Sequence, residues 1–285
     1  MGAMRGPSVG TQVVAHLFLV CVTMLTLYPI LWVVNMALTP GQAFAVGWLP
    51  IPTSVSLENF EYVLTATDAQ GTCIFINRLC NSIIVSTSTA LIGLIASTTA
   101  AYAMSRWSFP GKEAGMQLFL TTQMFPSVVM AVPLYLMLDN LHLLDSLTGL
   151  VVVYSTTSVP FSVWTLKGYF DTIPREIEEA AWMDGASRWL TFWRIVLPLA
   201  RPALAVTGLF SFMTAWNEFI LAATITSDPN KFTLPVMLQR YVDDYGAEWG
   251  HFAAGSILVS LPVVLLFFAL QKHFVGGLTA GGVKG

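Results

Sequence analysis

The sequence is poor in charge. Only 10% of its 285 residues are Asp, Glu, Lys or Arg, against ~25% in an ordinary water-soluble domain. With 13 basic and 16 acidic side chains there is too little polar material to cover a water-facing globule, which excludes a soluble cytosolic enzyme. A net charge of −3 offers no basic field to a phosphate backbone, which excludes nucleic-acid binding. The four histidines, His16, His142, His251 and His273, are scattered, and no pair has metal-ligand spacing. HExxH and GxSxG are absent, so neither a metal site nor a catalytic residue is expected. GxxxxGK[ST] is absent too, so this chain has no such loop to cradle nucleotide phosphates.

What is present is apolar. Hydrophobic residues make up 55% of the chain and mean hydropathy is +0.68. Six nearly uncharged stretches, about 13–36, 81–104, 115–138, 147–166, 202–222 and 253–271, approach the ~20 residues that cross a bilayer as a helix. The expected fold is all-α: a polytopic membrane protein with six transmembrane helices, in one membrane domain over 1–285. The first stretch exceeds the ~7–15 apolar residues of a signal peptide and no convincing cleavage site follows it, so it reads as a retained anchor.

Orientation follows from the basic residues, which favour cytoplasmic flanks. With the N-terminus inside, the inner segments hold Arg5, Arg106, Lys112, Lys167, Arg175, Arg188, Arg194, Arg201, Lys272 and Lys284, and the outer ones only Arg78, Lys231 and Arg240. Both termini are therefore expected in the cytoplasm. The outer loops become 37–80, 139–146 and 223–252, and the longest inner segment is 167–201.

That inner segment carries a pattern. Pro174 opens a helix, Glu176, Glu178 and Glu179 complement its positive end, and Gly185 marks a left-handed stop. A helix of about three turns follows, then a second through Arg188, Trp189 and Phe192 to a break at Pro198. Ile177, Ala180, Ala181 and Trp182 make one side small and apolar. Such a helix can fill a partner's groove or rest on lipid headgroups; its acidity argues against an anionic leaflet.

Glu179-Ala180-Ala181, three residues, Gly185, nine residues, then Ile195-Val196-Leu197-Pro198 resembles the EAA loop of permease subunits in bacterial ABC importers. The tail Gly276 to Gly285, with Trp216-Asn217-Glu218-Phe219 and Leu57-Glu58-Asn59-Phe60, is similar to the maltose and maltodextrin branch. The resemblance implies the type I importer permease fold in a bacterial inner membrane. It implies partners as well: a homologous MalF-like permease, two MalK-like ATPase subunits that bind ATP and Mg²⁺, an extracytoplasmic binding protein, and a sugar. This chain itself would hold no cofactor.

The coupling loop, 171–198, would touch the ATPase through Glu178, Glu179, Ala180, Ala181, Asp184, Gly185, Ile195, Leu197 and Pro198. The tail residues Gly281, Gly282, Lys284 and Gly285 would reach the same partner, unless the terminus simply frays. Trehalose or another oligosaccharide is the alternative cargo. An autonomous ion-coupled transporter is the alternative mechanism.

Within the spans, Glu218 is the one deep acid, and with Trp216 and Asn217 it either lines the translocation path, meets the second permease, or is structural near the outer interface. The second span is rich in Ser, Thr, Ala and Gly from Ser86 to Ala100, which predicts close helix packing. Pro126, Pro133, Pro160 and Pro262 predict kinks. Cys21 is expected to pack as a small apolar group. The spacing of Cys73 and Cys80 allows a disulfide without requiring one.

Overall fold

Helix carries most of the chain because its apolar runs must satisfy their own backbone hydrogen bonds. The computed structural model describes residues 9–44, 49–52, 54–243 and 246–281. Four helices are long and apolar enough to cross a membrane: α1 (Val9–Leu38), α3 (Ile74–Arg106), α6 (Leu147–Thr172) and α13 (Trp249–Gly281), the last over Trp249–Gln271. Two bent helix pairs bring the crossings to six if each pair counts as one. The described residues form two compact units, those up to Ile74 with Leu238–Val259, and Phe75–Met237 with those from Ser260.

The third expected crossing is not one straight helix. α4 (Lys112–Thr122) and α5 (Ser127–Asn140) meet at 105°. Pro126 is the reason: it lacks an N–H, disfavours helix at the residue before it, and sits extended as the cap of α5. Pro133, Pro160 and Pro262 lie inside continuous helices instead.

The fifth crossing is also interrupted. α10 (Arg201–Trp216) stops at Asn217, and α11 (Ile220–Ile225) restarts after it. On its other side α10 meets the helical stretch Arg188–Leu199 at 77°. The break expected at Pro198 therefore falls at Ala200. A π-helical turn, Phe192–Val196, lies just before Pro198, and its wider winding makes room for the proline ring.

In the larger unit α6 is the central element, with Ser146 capping it by accepting from the Gly149 N–H at 3.0 Å. Its upper stripe, Leu150, Val153 and Tyr154, packs with Val85, Leu138 and Leu221; its lower stripe, Val163, Leu166 and Phe170, packs with Ala101, Phe192 and Val196. These i, i+3, i+4 spacings put each stripe on one face. The small residues of α3 do what their size predicts. Ser86, Thr89, Gly93, Ser97 and Thr98 are buried, and a Cβ on Gly93 would come within 3.2 Å of the Ser158 hydroxyl.

The smaller unit is pinned by Asn59, at the start of α2 (Glu58–Thr65). Its amide donates to the Ala37 and Thr39 carbonyls and accepts from Gln42 at 2.8 Å. Tyr62 stacks on His251 at 3.8 Å. Burial pushes the nearby Tyr241 hydroxyl up to about 12, so it stays protonated at physiological pH. A two-residue pairing, β1 (Val242–Asp243) with β2 (Gly246–Ala247), completes this unit.

The outer face of the helices is apolar. Leu17, Phe18 and Leu25 of α1 are all more than half exposed, as are Ile95 of α3 and Leu265 of α13. A surface of this kind suits lipid. Cys21, expected to pack, is exposed on α1, and the disulfide left open for Cys73 and Cys80 is not formed: all three thiols are free.

Candidate functional site

The inner segment folds as the sequence predicts. α7 (Arg175–Met183) follows Pro174, its N-terminal cap, and it ends in a full left-handed stop. Gly185 has φ +89°, its N–H bonds the Trp182 carbonyl at 3.0 Å, and the Ala186 N–H bonds Ala181 at 2.9 Å. Ser187 then caps α8 (Arg188–Thr191), accepting from the Leu190 N–H at 3.2 Å.

The structure divides the expected partner-facing residues. Glu179, Ala180, Asp184 and Gly185 are exposed; Ile195, Leu197 and Pro198 are half-buried around the π-helical turn; Glu178 and Ala181 are buried. Residues three apart share a helix face, so Glu178 and Ala181 point inward together. Glu178 is only 1% exposed. Grouping it with Glu179 as an external contact is corrected: its charge is spent inside the protein.

That interior is a polar node. The Arg106 Nε donates to Glu178 Oε1 as an ion pair, while the Tyr102 hydroxyl donates to Oε2 at 2.5 Å. The other guanidinium nitrogens donate to the Phe170 carbonyl at 3.0 Å and the Ile173 carbonyl at 3.1 Å. These carbonyls lie at the end of α6, whose negative dipole favours a cation, and the Phe170 carbonyl accepts from the Ile173 N–H as well. Ser105 donates to Asp171 at 2.6 Å, Lys167 holds the same carboxylate at 2.5 Å, and Arg175 donates to the Ser105 carbonyl at 3.1 Å.

Aromatic rings fix the geometry. The Tyr102 ring lies 5.8 Å from Phe170, 4.6 Å from Phe192 and 5.3 Å from Trp107. A cavity of about 250 Å³ opens beside the node, lined by Arg175, Glu179, Trp182 and Arg188 among others. Arg188 sits over the Trp182 ring at 5.4 Å. Outside, Ile177, Met183, Trp189 and Trp193 leave an apolar surface, Met183 being 87% exposed. The arrangement supplies a short helix, rigidly backed on one side and open on the other.

Sequence reasoning missed Tyr102, Ser105 and Asp171, and it used Arg106 only as a topology marker. One signal was available: an arginine ending an apolar helix needs an acid at its own level, and Glu178 shares a face with a small alanine.

The second expected group divides differently. Trp216 is 1% exposed and stacks on Phe212 at 5.4 Å, so it is a core residue. Asn217 is exposed and donates to the Met213 carbonyl at 3.0 Å, closing α10. Glu218 accepts from the Leu221 N–H at 3.0 Å and the Ala222 N–H at 3.1 Å, which starts α11. Glu218 thus stands at a break between two helices rather than within one unbroken span, and its carboxylate is already engaged. Of the tail, Gly281 is the last residue of α13, while Gly282, Lys284 and Gly285 lie outside the described residues.

Comparison with known proteins agrees with this geometry. Residues 90–279 match the family described as the inner membrane component of binding-protein-dependent transport systems. The chain is 39% identical to the maltose/maltodextrin transport system permease protein MalG of Yersinia pestis, covering 95% of this chain and 92% of that one. It is 34% identical to the maltodextrin permease protein MdxG of Bacillus subtilis, with 96% of each covered. It is also 34% identical to the galactooligosaccharides permease protein GanQ of the same organism, with 95% of each covered. A chain of a bacterial ABC transporter that imports the acidic polysaccharide alginate superposes with a TM-score of 0.79 at 24% identity, over 95% of this chain and all of that one. Apolar crossings, a capped inner helix and a match over two thirds of the sequence lead to one conclusion: the chain belongs to the family of inner membrane components of binding-protein-dependent transport systems, the permease subunits of ABC importers.

Proposed function

We propose that this chain translocates maltose or maltodextrins as one of two permeases in an ATP-driven importer. Its partners are a MalF-like permease, a pair of MalK-like ATPases that bind ATP and Mg²⁺, and an extracytoplasmic binding protein. Similarity along nearly the whole length to maltose and maltodextrin permeases carries this reading. Both termini lie in the cytoplasm, as the bias of Lys and Arg supports, and α7 then faces the ATPase.

Binding energy released when ATP closes the ATPase pair moves α7 and switches the cavity between inward and outward access. Glu179 supplies a charge contact from the exposed side, Ala180 permits close approach, and the tail from Gly281 onward reaches the same partner. Exposed Ile177 and Met183 give this contact an apolar centre.

Similarity to GanQ and to the diacetylchitobiose permease protein DasC of Streptomyces coelicolor, each 34% identical, favours a second reading in which the cargo is another oligosaccharide, trehalose included. Purification in mild detergent from native membranes, then reconstitution with the binding protein, decides between them. Maltose and maltotriose should stimulate ATP hydrolysis where trehalose and galactooligosaccharides do not. A partner-free chain that transports alone overturns the importer reading.

A further inference from the structure

The chain order joins α7 to only two crossings. Upstream it follows α6 across Ile173 and Pro174. Downstream it reaches α10 through the left-handed Gly185 and the 77° bend at Ala200. Nothing in chain order joins it to α3, whose last residue, Arg106, stands 72 positions before Glu178. Yet α3 is held to α7 by the buried Arg106–Glu178 pair, by the Tyr102 hydroxyl on the second carboxylate oxygen, and by Arg175 on the Ser105 carbonyl.

From this geometry we infer that Glu178, Arg106 and Tyr102 are positioning residues that clamp α7 to α3, so that motion of α7 enters the membrane through α3 and α6 together. The inference rests on the importer reading above. The side chains of the pair are 8% and 2% exposed, and separation would leave two buried charges without their counter-charge. The clamp therefore stays closed as α7 moves. Arg106 adds the α6 end to the same body through the Phe170 and Ile173 carbonyls. Downstream the chain reaches α10 across a bend and a π-helical turn, and α10 packs on α6 directly, the buried Ser162 and Ser211 hydroxyls meeting at 3.2 Å. The clamp makes α3, α6 and α7 one lever.

The test uses the assembled complex in proteoliposomes, with transport per ATP hydrolysed as the readout. Glu178→Gln and Arg106→Gln should still recover the ATPase subunit while transport per ATP falls at least tenfold. Tyr102→Phe should lose two- to fivefold, and the Glu178→Gln/Arg106→Gln double variant should be no worse than either single one. Spin labels at the exposed positions Ile95 and Glu176 should keep one separation in the nucleotide-free and ATP-bound wild type, and a broadened one in Glu178→Gln. Assembled variants with intact coupling overturn the clamp alone, as does a wild-type separation that changes with ATP. Variants that fail to assemble while their assembled remainder couples normally reduce the node to a folding role and overturn the clamp too. Wild-type chain that recovers no ATPase sinks the importer reading, and the clamp with it.

Discussion

Arg106 and Glu178, 72 residues apart, form a buried ion pair that joins the end of one membrane helix to the inner face of a short helix outside the apolar stretches. Around it, three helix ends share one set of polar contacts. The outward face of α7 is left free of them. The same helix is thus fastened on one side and available on the other.

Removing one partner of that pair should destabilise the protein markedly. Arg106→Met leaves Glu178 buried without a counter-charge, a loss of roughly 3–5 kcal/mol. Thermal unfolding of the purified protein in detergent checks it. A melting temperature within a degree of wild type shows that the pair contributes little.

On the exposed side, Glu179→Lys should leave membrane insertion and the melting temperature unchanged, since no contact inside the chain is removed. Substrate-stimulated ATP hydrolysis of the complex should be abolished, because the charge contact proposed for Glu179 would reverse sign. Unchanged stimulation sinks the role given to Glu179.

At Gly185 the backbone has φ +89°, where a Cβ costs about 1–2 kcal/mol. Gly185→Ala should lower the melting temperature by a few degrees, and Gly185→Asn by less, because asparagine tolerates the left-handed region. Equal melting temperatures for all three would falsify the stop geometry.

Glu218→Gln separates two mechanisms. As a cap the glutamine keeps one acceptor for the α11 amides, so about 1 kcal/mol is lost and transport should stay within about twofold. An ion-coupled carrier using this carboxylate would lose transport entirely. Sugar uptake at constant ATP distinguishes them.

Deleting residues 276–285 should reduce ATPase recovery or coupling several-fold if the tail docks. Full transport by the shortened chain means that the tail merely frays.

Much of this molecule is legible in the sequence because two simple constraints act on it. Lipid demands long uncharged helices, so charge-free runs locate α1, α3, α6 and α13, whose ends extend past those runs into the polar flanks. Caps demand particular residues, so Pro174 and Gly185 mark the ends of α7 with no knowledge of the fold. The motif from Glu179 to Pro198 is the same kind of local information.

What local information could not supply is how far a break extends and which way a side chain turns. Pro126 bends one crossing by 105° while Pro133, a few residues on, lies within a helix; the difference is whether neighbouring helices and backbone geometry can absorb the lost hydrogen bond. Glu218 looks like a lone acid in a membrane until the end of α10 turns it into a cap for α11. Glu178 and Glu179 are adjacent and chemically identical, yet one is buried and the other exposed. Sequence determined that this chain spans a membrane and offers a short capped helix beyond its apolar runs. Tertiary structure alone decided that Glu178 faces Arg106, because a pairing between residues so far apart depends on three helix ends meeting at one place.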